Sequence, residues 1–404
     1  MKIAILVRIL WSAGTQRFAI SQAKALQAMG HDVELIFLRR SAKGSVYEDL
    51  LKDIKTIVLS DNNESPFVPL YDYVTGIFMS NRKGDGRVDY NLIRRFPSFA
   101  KDRGYDLIIC QDQWAGLAGY FNWRRYSTDY IVIMHERPTD YPWVKGWKRI
   151  LAMLALNYQR RVLINAKAVI SETLKVARSV ESFYYRDGLK CTDVFPGLEK
   201  REFRRYEERG NTVALLSYWN EVKIPWTYIS IFKAIQNYTF IMIGNWTSQS
   251  YRNSFLEKLR LEGLSDRVVL REGISEEEKI DLLSKSKFFM RFGQGEYGTS
   301  YGTLEALECG TPAIVNDELG ISDYLRKYSN SLIVSDASEI DEIRKFIESN
   351  DNPISYGNLQ KEIRRMIEDH SWENHCKLLL EAVSKNRVES THESFRGAND
   401  GKQI

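Results

Sequence analysis

The stretch Phe288 to Val315, FFMRFGQGEYGTSYGTLEALECGTPAIV, admits few folds. Phe288 to Phe292 is a short, mostly apolar run ending in a glycine cluster, which reads as a buried strand entering a loop. From Thr299 the spacing turns helical, through Leu304, Leu307 and Glu308. Gly310 stands where a helix stops, and Pro312 bars its continuation. Ala313 to Val315 then restarts a strand. This order is a βαβ unit of a parallel sheet. The loop holds Gly293, Gly295 and Gly298, with Thr299 and Ser300 at the helix start. Glycines that permit close approach, beside the free amides of a helix N-terminus, make a seat for phosphate. Glu296 in the loop and Glu305 in the helix flank that seat. A carboxylate repels phosphate but accepts hydrogen bonds from sugar hydroxyls. Phosphate and sugar recognition side by side imply a nucleotide-sugar.

The rest of the chain repeats the βα rhythm. Lys2 to Val7 is an apolar strand, and WSAGTQ is a turn holding Gly14 and a second seat for an anion. A helix runs from there to Gly30, with Phe18, Ala25, Leu26 and Met29 on one face and Gln22 interrupting it. His31 to Leu38 is the next strand, whereas Asp61 to Arg87 has loop chemistry. A helix is expected from Tyr90 to Arg103, then strands Asp106 to Cys110 and Tyr130 to Met134. His135 closes the latter strand, where open α/β sheets bind ligands. Lys167 to Ile170 and Thr192 to Phe195 complete this half, and Phe195-Pro196-Gly197 reads as a hinge. Further strands follow at Thr212 to Leu216, Thr239 to Ile243, Val268 to Leu270 and Ser331 to Val334. Ser275 and Glu278 have capping-box spacing.

The chain is long enough for two domains at 404 residues. The expected fold is α/β, with two doubly wound Rossmann-type domains facing one cleft. Residues 1–195 form the first domain and 196–370 the second. A C-terminal helix, 371–385, crosses back to the first domain, and 386–404 is a disordered tail.

Composition narrows the function classes. A net charge of +4 is too mild to imply nucleic-acid binding. The high aromatic content suits carbohydrate contacts and a thick core equally. Cys110, Cys191, Cys309 and Cys376 lie far apart with no C-x-x-C pair, which favours a reducing compartment. Met1 leads straight into a strand with no signal-peptide pattern, and no apolar run is long enough to span a membrane. The expected location is cytoplasmic. Residues 141–161, YPWVKGWKRILAMLALNYQRR, mix tryptophans, basic residues and an apolar face. They read either as an interfacial helix, peripheral on the cytoplasmic membrane face, or as a core helix with a solvated basic side.

Two stretches carry a resemblance to a known family. AGTQRFAISQAKALQAMGHDVELI is similar to the glycine-rich loop, helix and G-H-x-V strand entry of GT-B glycosyltransferases of family 4. EYGTSYGTLEALECGTPAIV resembles their E-G-F-G…E-A-x-A-x-G-x-P-V block. Shorter matches are MHE at 134–136, FPG at 195–197, MIGNW at 242–246 and HSW at 370–372, in the family's order.

The resemblance implies a GT-B-like fold with residues 1–195 on the acceptor side and 196–370 on the donor side, and a retaining enzyme that moves a sugar from a nucleoside diphosphate sugar to a hydroxyl acceptor, without a cofactor or metal ion. It places Glu305 on the ribose, the amides of Gly298, Thr299 and Ser300 on the diphosphate, and Glu296 on the donor sugar. Lys223 balances the diphosphate charge, His135 lies at the cleft floor near the reacting sugar, and Gly14 approaches donor and acceptor. If residues 141–161 meet a membrane, the acceptor is a lipid-linked glycan. Two positions depart from the family pattern. Glu296 and Glu305 are one residue further apart than usual, so that strict spacing selects Tyr297. Tyr218 or Trp219 stands near the place of a phosphate-binding arginine.

Rival readings attach to the same residues. GQGEYG at 293–298 also fits G-x-G-x-x-G, with Asp317 where a ribose-binding acid of an NAD(P)-dependent oxidoreductase would stand. A catalytically silent nucleotide-binding protein would keep the fold. His370 and His375 read as structural, since no acid stands near them in metal-ligand spacing. Thr299 and Ser300 also suit plain N-caps.

Overall fold

The computed structural model describes residues 1–11, 13–41, 47–60, 90–139, 145–221 and 223–389, except for the side chains of 148, 151 and 386–389. All of Asp61 to Arg87 and the start of 141–161 therefore lie outside the described residues.

Every strand pairing is parallel, as continuous apolar strands alternating with helices require. The first half holds β1 (Lys2–Leu10), α1 (Gly14–Ala28), β2 (Asp32–Arg40), β3 (Lys55–Val58), α2 (Tyr90–Ala100), β4 (Leu107–Gln111), α3 (Gln113–Tyr126), β5 (Asp129–Met134), α4 (Lys148–Ile164), β6 (Ala168–Ser171), α5 (Leu174–Phe183) and β7 (Thr192–Asp193). Its strand order is β3-β2-β1-β4-β5-β6-β7. The second half holds β8 (Gly210–Leu216), α6 (Tyr228–Ala234), β9 (Thr239–Ile243), α7 (Gln249–Leu261), β10 (Val268–Arg271), α8 (Glu276–Lys285), β11 (Ser286–Arg291), α9 (Tyr301–Glu308), β12 (Ala313–Asn316), α10 (Ser322–Leu325), β13 (Ser331–Val334), α11 (Ile340–Asn350), α12 (Pro353–Asp369) and α13 (Trp372–Glu389). Its order is β10-β9-β8-β11-β12-β13. In both sheets the order reverses beside the first strand, the doubly wound pattern that opens a crevice at the strands' C-terminal ends.

Each sheet carries a hydrophobic layer on both faces. α13 follows the second domain in sequence, yet its Cys376, Leu379 and Ala382 join the layer formed by α1 and the first sheet. Burying Leu379 there contributes roughly 1.5–3 kcal/mol. The helix runs to Glu389, past the point where disorder is expected, and residues 390–404 lie outside the described residues.

Other boundaries differ for local reasons. β1 reaches Leu10 because pairing with β2 extends to Arg40. The last strand of the first sheet stops at Asp193, since it pairs only through Thr192 and Asp193. α2 stops at Ala100, short of the expected Arg103. α9 starts at Tyr301 rather than Thr299, because Ser300 is left-handed at φ 57° and Thr299 turns its hydroxyl across the cleft. Ser275 caps α8 through the amide of Glu278 at 3.1 Å.

Candidate active site

The C-terminal ends of β5, β6, β8 and β11 meet between the two sheets. The loop after β11 is held from several sides. Phe292 N donates to the Tyr228 hydroxyl at 2.7 Å. Gly293 exchanges hydrogen bonds with the Asn316 side chain at 3.0 and 2.8 Å. Gly295, at φ 64°, donates to Glu318. Gly320 N reaches the carbonyls of Glu296 and Gly298 at 3.2 and 3.1 Å. A Cβ on Gly298 would stand 3.0 Å from the His135 carbonyl, so glycine lets the loop touch the end of β5. Among the described residues the amides of Gly298, Thr299 and Ser300 have no hydrogen-bond partner. They form an open nest at the start of α9.

Two cations converge on this loop. Lys223 pairs with Glu296, and Arg291 Nη2 reaches both Glu296 oxygens at 2.9 and 2.7 Å. Burial, then the charge of Arg291, lowers the Lys223 pKa against the raising effect of Glu296. Lys223 is held by a strained loop, because its neighbour Ile224 has φ 43°, a costly conformation for a β-branched residue. Arg291 was not singled out in the sequence. It ends β11 directly after Phe288, Phe289 and Met290 and is almost fully buried. Neither residue near the expected arginine position supplies a cation. Trp219 is a fully buried core residue whose indole donates to the Ile243 carbonyl at 3.1 Å, and Tyr218 is exposed.

Glu305 is buried and pairs with Lys279 at 2.7 Å, which also pairs with Glu276 at 2.8 Å. It lies on α9, which the open amides precede, whereas Glu296 lies with the cations. Tyr297 presents no carboxylate. Its carbonyl accepts from Thr173 at 2.6 Å, and its ring faces Arg137 at 5.1 Å. Gly14 is the first residue of α1 rather than a loop residue, and a Cβ there would run into the Tyr301 ring. Ser300 sits at the N-cap of α9 but makes no cap bond, and its hydroxyl meets Thr303 at 2.9 Å. The N-cap reading of Thr299 is likewise corrected, because its hydroxyl donates to Glu172 at 2.6 Å.

Glu172, which the sequence reading passed over, is the hub of the cleft floor. It is buried at the end of β6 and accepts from His135 Nδ1 at 2.5 Å, Thr299 at 2.6 Å and Tyr301 at 2.5 Å. His135 Nε2 meets Gln111 Oε1 at 3.0 Å, Gln111 Nε2 donates to Gln22 Oε1 at 2.8 Å, and Gln22 Nε2 meets His375 Nε2 at 3.1 Å. His375 Nδ1 stands 2.9 Å from the Phe195 carbonyl and must donate to it. His375 Nε2 is then an acceptor, which sets the direction of every bond back to His135. His135 must donate through both nitrogens and is an imidazolium facing a carboxylate. The electrostatics agree. Burial pulls the His135 pKa down, but the charge and hydrogen bond of Glu172 raise it above the ordinary value. Burial pushes the Glu172 pKa up, but His135 and the Thr299 and Tyr301 hydroxyls bring it below the ordinary value. Burial holds His375 to about 4, neutral as the chain requires.

Among the described residues no group of His, Cys, Asp and Glu is placed to hold a metal ion. Asp317 pairs with Arg326 at 2.8 Å and with Lys175.

Two Rossmann-type domains, each a parallel sheet with helices on both faces, facing each other across a cleft make a GT-B fold. Residues 13–188 match the family described as glycosyl transferase 4-like domain, and residues 208–366 match glycosyl transferases group 1. The chain is a GT-B glycosyltransferase of the family-4 type. None of the curated proteins matches it. Similar solved structures include the sucrose-phosphate synthase of Thermosynechococcus elongatus, with a TM-score of 0.68 and 15% identity over 96% of this chain and 100% of that one. Anabaena HepE in complex with UDP and glucose has a TM-score of 0.70 at 14% identity, covering 95% of this chain and 100% of that one. TarM has a TM-score of 0.67 at 12% identity, covering 95% and 98%.

Proposed function

We propose that the protein transfers a sugar from a nucleoside diphosphate sugar to a hydroxyl acceptor with retention of anomeric configuration. The observation that carries this reading is the convergence of Lys223 and Arg291 beside the open amides of Gly298, Thr299 and Ser300. Cations and oriented amides stabilise the diphosphate charge that develops as the anomeric bond breaks. Arg291 takes the place of the family's arginine, and Glu305 takes the ribose. Glu296, between the cations, meets the donor sugar. The solved complexes of HepE with UDP, and with UDP-glucose, make UDP the first nucleotide to try.

Retention suits the committed side chains. Both nitrogens of His135 donate into the protein, so it offers no lone pair as a base. Glu296 is held by two cations and makes a poor nucleophile. The acceptor proton therefore passes to a leaving phosphate oxygen on the same face, and the protein binds, orients and excludes water.

A thermal-shift panel of UDP, GDP, ADP and NAD(P)H, with and without chelator, tests the donor reading. At least one nucleoside diphosphate is expected to stabilise the protein, by roughly 2.7 kcal/mol at a hundredfold excess over Kd. The shift should survive chelator, and Glu305→Ala should weaken binding by roughly 1.5–3 kcal/mol. Stabilisation by NAD(P)H alone would overturn the reading, and loss with chelator would sink the metal-free mechanism. Donor hydrolysis by the purified protein separates an enzyme from a silent binding protein.

We also propose that α4 rests on an anionic membrane surface on the cytoplasmic side and that the acceptor is a lipid-linked glycan. No helix among the described residues is long and apolar enough to cross a membrane. α4 instead exposes Trp147, Ile150, Met153 and Leu154, with Trp147 70% accessible. Lys145 and Arg149 stand beside them. Four buried, unpaired cysteines suit the reducing side. Trp147→Ala with Ile150→Ser and Leu154→Ser should lower co-sedimentation with phosphatidylserine vesicles at least tenfold, since each buried side chain contributes up to roughly 1.5–3 kcal/mol. Equal co-sedimentation would remove the idea.

A further inference from the structure

A cavity of about 660 Å³ opens between the domains on the far side of Tyr297. One wall is α5 of the first domain, with Arg178, Ser182 and Phe183. The other is built after β12, with Asp317 and Glu318. Tyr297 belongs to both this cavity and the donor loop, since it directly follows Glu296. Lys175 ties the two walls together, donating to the Leu319 carbonyl at 3.2 Å and the Ser322 hydroxyl at 2.7 Å. The cavity is therefore formed before any ligand arrives, and its volume lies within the usual range for small-ligand sites.

The lining has a specific chemistry. Phe183 is 38% exposed and lines the cavity, where its ring suits the C–H face of a sugar. Asp317 and Glu318 already accept from Arg326 and the Gly295 amide and keep further lone pairs for hydroxyls. Arg178 is exposed and makes no hydrogen bond or ion pair among the described residues. Its planar fork matches a carboxylate or a phosphate.

We propose that this cavity seats an acidic saccharide, with its anionic group on Arg178 and its hydroxyls on Asp317 and Glu318. This rests on the transferase reading, under which the saccharide is the part of the acceptor beyond the reacting hydroxyl, directed over Tyr297 toward Glu296. The acid group is either a uronic carboxylate or a sugar phosphate.

The probes are glucuronate and galacturonate for the first source, glucose 6-phosphate for the second, and methyl glucoside as the neutral control. Each is titrated by saturation-transfer NMR into protein saturated with UDP. At least one acidic probe is expected to bind more tightly than methyl glucoside. Arg178→Gln should weaken it tenfold or more, as loss of a charge-assisted bond implies. Ser182→Trp should fill the cavity and abolish binding, and UDP affinity should stay unchanged in both variants. Equal binding of acidic and neutral probes, binding unaltered in Ser182→Trp, or no binding by any probe would overturn the proposal. If UDP fails to bind while a saccharide binds and Arg178→Gln weakens it, the donor reading falls and the cavity site stands.

Discussion

Arg291→Gln is expected to lower turnover of the nucleotide-sugar by about two to three orders of magnitude, the usual effect of removing a group that stabilises developing charge. The side chain is buried at the end of β11, and its Nη2 shares the Glu296 carboxylate with Lys223. Glutamine keeps much of the volume and leaves Lys223 paired, so the protein should still fold. Lys223 alone must then answer both Glu296 and the diphosphate. Arg291→Lys should recover only part of the rate. Lysine keeps the charge but cannot hold the Phe292 carbonyl and Glu296 together, as Arg291 does. Measuring kcat and KM for donor hydrolysis at constant temperature decides the matter. A rate unchanged in a folded Arg291→Gln protein would remove Arg291 from the reaction.

The route to Arg291 shows what a sequence hides. Periodicity and punctuation marked the sheets well, since Gly30, Gly104 and Gly310 each follow a helix and take positive φ. Lys223 came only with the resemblance to the family, whereas the loop glycines, Glu296 and His135 at a strand end were readable from local position. Arg291 was not, because it lies in a run of phenylalanines and its role depends on a lysine from another βα unit. Glu172 was hidden for the same reason, as its partners come from β5 and α9. One signal was present. Gln22 broke the apolar face of α1, and a polar residue on a buried face asks for a partner. That partner is the hydrogen-bond chain from His375 through Gln111 to His135. Following that polar interruption would have led from α1 to the cleft floor.

The floor itself gives the largest stability effect. Glu172→Ala is expected to destabilise the protein by about 3–5 kcal/mol, because it leaves the His135 imidazolium buried without its anion. It also leaves the Thr299 and Tyr301 hydroxyls without their acceptor, loosening α9 from the first domain. Glu172→Gln should cost less. Glutamine can donate to a neutral His135 and accept from one hydroxyl, orphaning the other at about 1–3 kcal/mol. The pH dependence separates a charged pair from a neutral one. The raised pKa of His135 contributes stability that is complete below the ordinary histidine value and is lost as pH rises through the raised value. Asp112 and Glu136 add to that raise. The lowered pKa of Glu172 contributes stability that is complete above the ordinary carboxylate value and is lost as pH falls through the lowered one. His375, held to about 4, adds an acid limb of its own, because the unfolded chain takes up its proton first. Acid destabilisation is therefore shared, whereas the loss of stability above neutral pH reports the His135–Glu172 pair. Urea unfolding of the parent should show that alkaline decline, and in Glu172→Gln the decline should flatten, since burial then holds His135 neutral throughout. An alkaline limb that persists unchanged in Glu172→Gln would mean that His135 is neutral in the parent, and the direction assigned to the hydrogen-bond chain would be wrong.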